Sequence, residues 1–146
     1  MLYFNSMIPI NMPVVIICTL ISILLGFLWY GPLFGSTWMK EQGITPDKMK
    51  KMQGEPMGKT YFLMAIGSFL TAYVFAHTNL FASNYTHLSG TENGLMSAVW
   101  TWLGFFLPVQ IGSVLWERRS WTYFAINTIY SLVSLCLMGI ILSNWA

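Results

Sequence analysis

Four long uncharged apolar stretches, at about residues 12–34, 60–82, 95–116 and 121–143, constrain this chain more than any other feature. An α-helix needs about 20 apolar residues to cross roughly 30 Å of hydrocarbon, and each stretch reaches that length. Composition agrees. With 55% apolar and 8% charged residues, the chain of 146 has too few charges to coat a soluble domain. The expectation is an all-α fold, an antiparallel bundle of four transmembrane helices with a short amphipathic helix in the first cytoplasmic loop.

Leu2, Tyr3, Phe4 and Ser6 resemble a protease-cleavable expression-tag site, so residues 1–6 read as a tag remnant and 7–146 as one integral membrane domain starting at Met7. No basic segment precedes the first apolar run and no small-residue cleavage signal follows it, so a retained helix is expected. Cations set the orientation. All 7 Lys and Arg fall in two segments: Lys40, Lys48, Lys50, Lys51 and Lys59 after the first span, and Arg118 and Arg119 after the third. The positive-inside rule then puts both basic loops in the cytoplasm, and both termini and the 79–94 connection outside a cell (plasma or inner) membrane. Trp29, Tyr30, Tyr61, Trp116, Trp121 and Tyr123 mark the inner interface, Trp100 and Trp145 the outer one.

Helices in lipid associate through close van der Waals contact, which small residues permit. Ser68, Ala72 and Ala76 recur every four residues on one face of the second span, and Gly104 and Gly112 share a side of the third. These five are the expected packing positions. Pro108 lacks a backbone donor and is expected to bend its helix. In the first loop, Thr45 as N-cap, Pro46 at the first position and Asp47 in the first turn predict a helix to Gln53, stopped by Gly54 and Pro56. Its lysines face phosphate while Met49 and Met52 dip into the headgroup boundary.

Polar residues inside spans are where function is sought, because each costs free energy unless paired or wetted. Gln110, Ser113 and Glu117 lie on one helical stripe, and Asn127, Tyr130, Ser131 and Ser134 on another. The connection between those spans is short, so Glu117 and Asn127 are expected to approach at one depth. The candidate site is a cytoplasm-facing pocket. Glu117 would supply charge for a cationic or proton-coupled ligand, Gln110 and Asn127 hydrogen bonds, and Trp29, Tyr30 and Tyr130 an apolar wall. The competing reading makes these groups interhelical glue, with Glu117 paired to Arg118 or Arg119.

Other chemistries find little support. A net charge of +2 with scattered cations argues against nucleic acid. His77 and His87 have no companions at ligand spacing, and Met49, Met52 and Met57 among lysines make a poor copper site, so no metal or cofactor is expected. His77 and Glu117 lie at opposite membrane faces, too far apart for joint acid–base chemistry, so an enzyme is the weakest class. Cys18 and Cys136 read as small buried hydrophobes. Asn84-Tyr85-Thr86 matches a glycosylation acceptor, a common chance match.

The run Gly26-Phe27-Leu28-Trp29-Tyr30-Gly31-Pro32-Leu33-Phe34-Gly35 with Trp38-Met39 resembles the opening motif of the membrane family filed as domain of unknown function 1761. Trp102-Leu103-Gly104-Phe105, Trp116-Glu117-Arg118-Arg119, Ile126-Asn127 with Tyr130, and Met138-Gly139 before Trp145 extend the likeness over most of the chain. The resemblance implies a small integral membrane protein and no particular reaction. Lys often follows the motif's glycine in that family, whereas Ser36 stands here. Three functions remain in view: binding of a small molecule or lipid by a homo-oligomer in the bilayer, a structural assembly protein without ligand, and a small transporter.

Overall fold

The computed structural model describes residues 9–145, so the tag remnant and the Met7 start lie outside the described residues. Helix α1 (Met12–Leu28) starts where the Asn11 side chain accepts from the Val14 N–H at 3.4 Å, with proline in the first turn, where its missing donor costs nothing. It continues into a π-helical turn, Trp29–Leu33, that contains Pro32. Proline cannot donate to the preceding turn, and the wider turn re-forms the ladder from Phe34 N–H to the Trp29 carbonyl at 2.8 Å. Two short helices follow, α2 (Gly35–Glu41) and α3 (Pro46–Gln53), the latter capped by Thr45 accepting from Lys48 N–H.

The second span is α4 (Gly58–Thr86), ending at His87 in the left-handed conformation. The third comprises α5 (Gly90–Thr101), a π-helical segment Trp102–Phe106 and α6 (Leu107–Leu115). Pro108 sits in the first turn of α6, directly after that segment, so the missing donor is absorbed by widening. The fourth is α7 (Trp121–Trp145), whose first turn is capped by Ser120 accepting from Tyr123 N–H at 3.0 Å. All elements among the described residues are helical, and four segments, Met12–Leu33, Gly58–Thr86, Gly90–Leu115 and Trp121–Trp145, are long and apolar enough to cross a membrane. Large apolar side chains such as Leu20, Leu24, Val74, Phe105 and Val109 point outward, the distribution expected where lipid is the solvent.

The 79–94 connection is far shorter than expected. Helix α4 runs through Thr86 and α5 begins at Gly90, leaving three residues between them. Polar residues do not end these helices because they are paired within the protein. Asn93 Nδ2 donates to Asn79 Oδ1 at 2.9 Å, and Thr86 Oγ1 donates to the Ala82 carbonyl at 2.8 Å.

The buried core gathers at the end holding Asn11 and Trp145, where Val14, Val15 and Cys18 of α1 meet Ala72, Phe75 and Ala76 of α4 and Leu135, Met138 and Leu142 of α7. Helices α5 and α7 approach most closely at Gly94 and Gly139, where a Cβ on either glycine would run into the other's backbone. That pair, not Gly104 and Gly112, is the glycine contact between spans. Gly104 is exposed and a Cβ there would meet nothing within 4 Å, while Gly112 meets only Trp116 of its own turn at 3.8 Å. Gly104 lies within the π-helical segment. Ala72 and Ala76 are buried as packing positions, whereas Ser68 stands half-buried beside a cavity. Both cysteines are free; Cys18 is buried with its thiol toward the Met138 carbonyl, and Cys136 is half-buried.

Candidate functional site

At the end where Ser120 Oγ donates to the Glu41 carboxylate, α1 and α7 are joined by a set of aromatic and polar contacts. The π-helical turn after Leu28 directs Trp29 and Tyr30 toward α7. Trp29 is buried and donates through Nε1 to the Ile126 carbonyl at 3.0 Å. Tyr30 OH donates to Asn127 Oδ1 at 2.7 Å, and Asn127 Nδ2 donates to the Tyr123 carbonyl at 2.9 Å. One turn on, Tyr130 OH donates to the Ser22 carbonyl at 3.1 Å, and the Ser22 and Ser134 hydroxyls lie 3.1 Å apart. Gly26 admits the Tyr130 phenol, since a Cβ there would lie 3.2 Å from its oxygen. The Tyr30 ring meets Tyr130 at 5.1 Å and Trp38 at 5.5 Å between centroids.

These groups form one wall of a cavity of about 700 Å³. Ser22, Tyr30, Tyr130 and Ser134 stand on the α1 and α7 side, with Tyr61, Met64, Gly67, Ser68 and Thr71 of α4 opposite. Trp38, Met52 and Met57 of the first connection and Phe106 of the third span also line it. No charged side chain among the described residues lines it. Trp38 Nε1 itself is buried without a hydrogen-bond partner among the described residues. Thr71, Phe106 and Leu135 also line an adjoining opening of about 400 Å³ between α4 and the third span, with Phe105 and Val74 in its wall.

A family model described as a protein of unknown function, DUF1761, matches residues 13–143, which take in all but the outermost residues of the four spans and every cavity residue named above. The chain belongs to this family. No curated protein and no solved structure matches it. In this DUF1761 protein, Trp29, Tyr30, Asn127 and Tyr130 come together, with Tyr30 and Tyr130 on the cavity wall and Trp29 and Asn127 holding them from behind. Gln110 and Glu117 do not join them. Gln110 is half-buried on α6 with its carbonyl taken by the Ser113 hydroxyl. Glu117 is exposed, 3.8 Å from Arg119 Nε and bonded to nothing else among the described residues.

The reason lies in where the helix stops. Helix α6 ends at Leu115, and Arg118 turns left-handed at φ 57°, so helical spacing no longer relates Glu117 to Gln110 and Ser113. An exposed pair of this kind contributes little. Trp38, Met52 and Met57 escape a span-by-span reading because they lie beyond the first span. The signal available was Trp38 itself, an aromatic residue a turn past a membrane helix.

The Tyr30–Asn127 bond is expected to stabilise the fold modestly. A double-mutant cycle of Tyr30→Phe and Asn127→Ala, read by unfolding in mixed micelles, should give a coupling of about 0.6–1.7 kcal/mol, the range found between membrane helices. Additive losses would mean that the bond contributes nothing.

Proposed function

We propose that this small membrane protein binds a neutral amphiphile, a lipid or lipid-like small molecule, in the cavity between α1, α4 and α7. The observation that carries the reading is the lining: aromatic rings, methionines and hydroxyls, with no charged side chain among the described residues. Its volume falls within the usual range for ligand sites, roughly 300–1,000 Å³. Apolar side chains would hold a chain or ring system, and the Ser68 hydroxyl a carbonyl or ether oxygen. The opening between α4 and the third span, which shares Thr71, Phe106 and Leu135 with the cavity, supports entry of such a molecule from the bilayer.

The same reading takes the four spans as an antiparallel bundle. Asn11 bonds Trp145 while Trp29 bonds Ile126, which supports opposite directions for α1 and α7. The contact between Ser120 and Glu41 supports placing both basic connections at one end, which we assign to the cytoplasm of a cell membrane with both termini outside. Helix α3 would lie along that surface, its lysines toward phosphate.

A second reading, assembly as a homo-oligomer, is favoured by Gly104, which is exposed with open space about it on an apolar face where another copy's helix could approach closely. Native mass spectrometry with a monoacylglycerol as probe tests both. The binding reading expects a retained adduct that survives Glu117→Gln and weakens about tenfold in Ser68→Ala, the effect of one lost hydrogen bond. Loss of the adduct in Glu117→Gln would overturn the neutral-ligand assignment, and subunit number reads out in the same spectra.

A further inference from the structure

The connection after the first span holds another cavity, of about 720 Å³, between α2 and α3. Each helix turns one face to it. Ser36, Met39 and Lys40 line it from α2 and Met49, Lys50 and Gln53 from α3, residues spaced by three and four that share a helical side. A Met-Lys pair therefore stands on either wall, Met39-Lys40 on one and Met49-Lys50 on the other. The corner between the helices is closed by backbone bonds. Gly43 N–H donates to the Lys40 carbonyl at 3.0 Å and Ile44 N–H to the Met39 carbonyl at 2.9 Å, with Gly43 left-handed at φ 65°.

Charge distinguishes this cavity from the one beside Trp38. Two lysines line it and no carboxylate among the described residues does, although Glu41, Asp47 and Glu55 belong to the same connection. Neither Lys40 nor Lys50 has an ion-pair partner among the described residues. Two cations in one cavity repel each other, and an anion between them removes that repulsion and gains charge-assisted hydrogen bonds. Lys48 and Lys51 of the same helix do not line the cavity, so it selects particular lysines from the basic connection. The rest of the lining suits carbon. Met39, Ile44 and Met49 are half-buried there, thioethers and a branched alkyl chain beside the cations.

We propose that this cavity is a site for an anionic phospholipid, its phosphate held between Lys40 and Lys50 and its glycerol and upper acyl carbons against Met39, Ile44 and Met49. Phosphate is chemistry that a lipid shares with a soluble phosphate ester, and the apolar half of the lining favours the lipid. The site rests on the placement of this connection at the membrane surface proposed above, and α2 begins at Gly35, just past the Leu33 end of the first span. It shares no residue with the Trp38 cavity, so either can fail without the other.

The test titrates short-chain phosphatidylglycerol into the full chain in micelles of a neutral detergent, read by native mass spectrometry. Saturable retention is expected, weakened about fivefold in Lys40→Gln and in Lys50→Gln and about twenty-five-fold when both are replaced. Replacing Lys48 and Lys51 together by glutamine removes the same charge. At physiological salt, where screening limits the reach of an exposed charge to about 8 Å, that control should stay within about twofold of wild type. All four lysines are exposed, so the variants should fold as wild type does. Glycerol phosphate, which carries the anion without acyl chains, should bind at least about tenfold more weakly. Equal weakening in the two double variants would overturn the site in favour of a diffuse attraction to the whole connection. Glycerol phosphate bound as tightly as the lipid, or no saturable retention of phosphatidylglycerol, would overturn the lipid assignment. Micelles have no sides, so any of these failures leaves the proposed orientation standing, and retention of a monoacylglycerol in the same micelles reads the Trp38 cavity separately.

Discussion

Replacing Gly94 with leucine is expected to prevent α5 and α7 from docking, the largest effect of any single substitution foreseen for this protein. A Cβ at Gly94 would overlap the Gly139 carbonyl group, which is backbone on a neighbouring helix and cannot swing aside. The helices would have to separate, and Ala98, now fully buried, would lose its close fit. The polar contacts across the same seam would stretch as well, Asn93 to Ser143 at 3.2 Å and Asn144 to Thr91 at 3.2 Å. Overpacking a tight core costs about 1–3 kcal/mol, so Gly94→Ala should lie in that range and the bulkier leucine beyond it. Gly104→Ala is the control. Nothing lies near that position, and relief of glycine's entropy cost should leave the protein unchanged or stabilised by about 0.5–1 kcal/mol. Unfolding in mixed micelles checks the ranking; equal stability of the Gly94 and Gly104 alanine variants would show that the seam is not tight.

The second large effect concerns the Trp38 cavity. Gly67→Phe adds a ring to α4 where a Cβ meets nothing within 4 Å and where the cavity begins, so the helix contacts should survive while space for a guest is lost. Affinity for a monoacylglycerol should fall at least about a hundredfold, since a well-filled apolar site is worth several kcal/mol and steric exclusion removes most of it. The melting temperature without lipid should stay near that of wild type. Undiminished binding would put the guest elsewhere on the molecule.

Much of the architecture was readable from residues alone because one physical number controls it. Bilayer thickness sets the length of an apolar run, and the four runs coincide with the four long helical segments to within a few residues at most ends. The start of α3 was readable for a local reason, the adjacency of a capping Thr45 and Pro46. What eluded the sequence depends on register between helices. Gly94 and Gly139 look no different from Gly104 and Gly112 until the third and fourth spans are aligned. Asn79 and Asn93 looked like loop residues because each alone would be costly in a helix within the bilayer, and only their pairing removes much of that cost.

The site divides along the same line. Tyr30, Asn127, Tyr130 and Trp29 come together as their spacing suggested because they lie within continuous helix or its π-helical extension, where spacing reports direction. Glu117 lies just past the end of α6, in a turn whose left-handed residue is Arg118 and not a glycine that would announce it. Its loss from the site changes the chemistry. A pocket read as able to bind a cation becomes one whose lining has no charge at all.

Photolabelling tests that account most directly. A neutral monoacylglycerol bearing a diazirine near its headgroup would be activated on the protein in nanodiscs, and the labelled positions mapped by peptide sequencing. Binding in the cavity predicts saturable labelling concentrated at Trp38, Met52, Met57 and Tyr61, competed by unlabelled monoacylglycerol and lost in Gly67→Phe. Labelling spread over the outward faces at Leu20, Leu24 and Val109, with no competition, would contradict it.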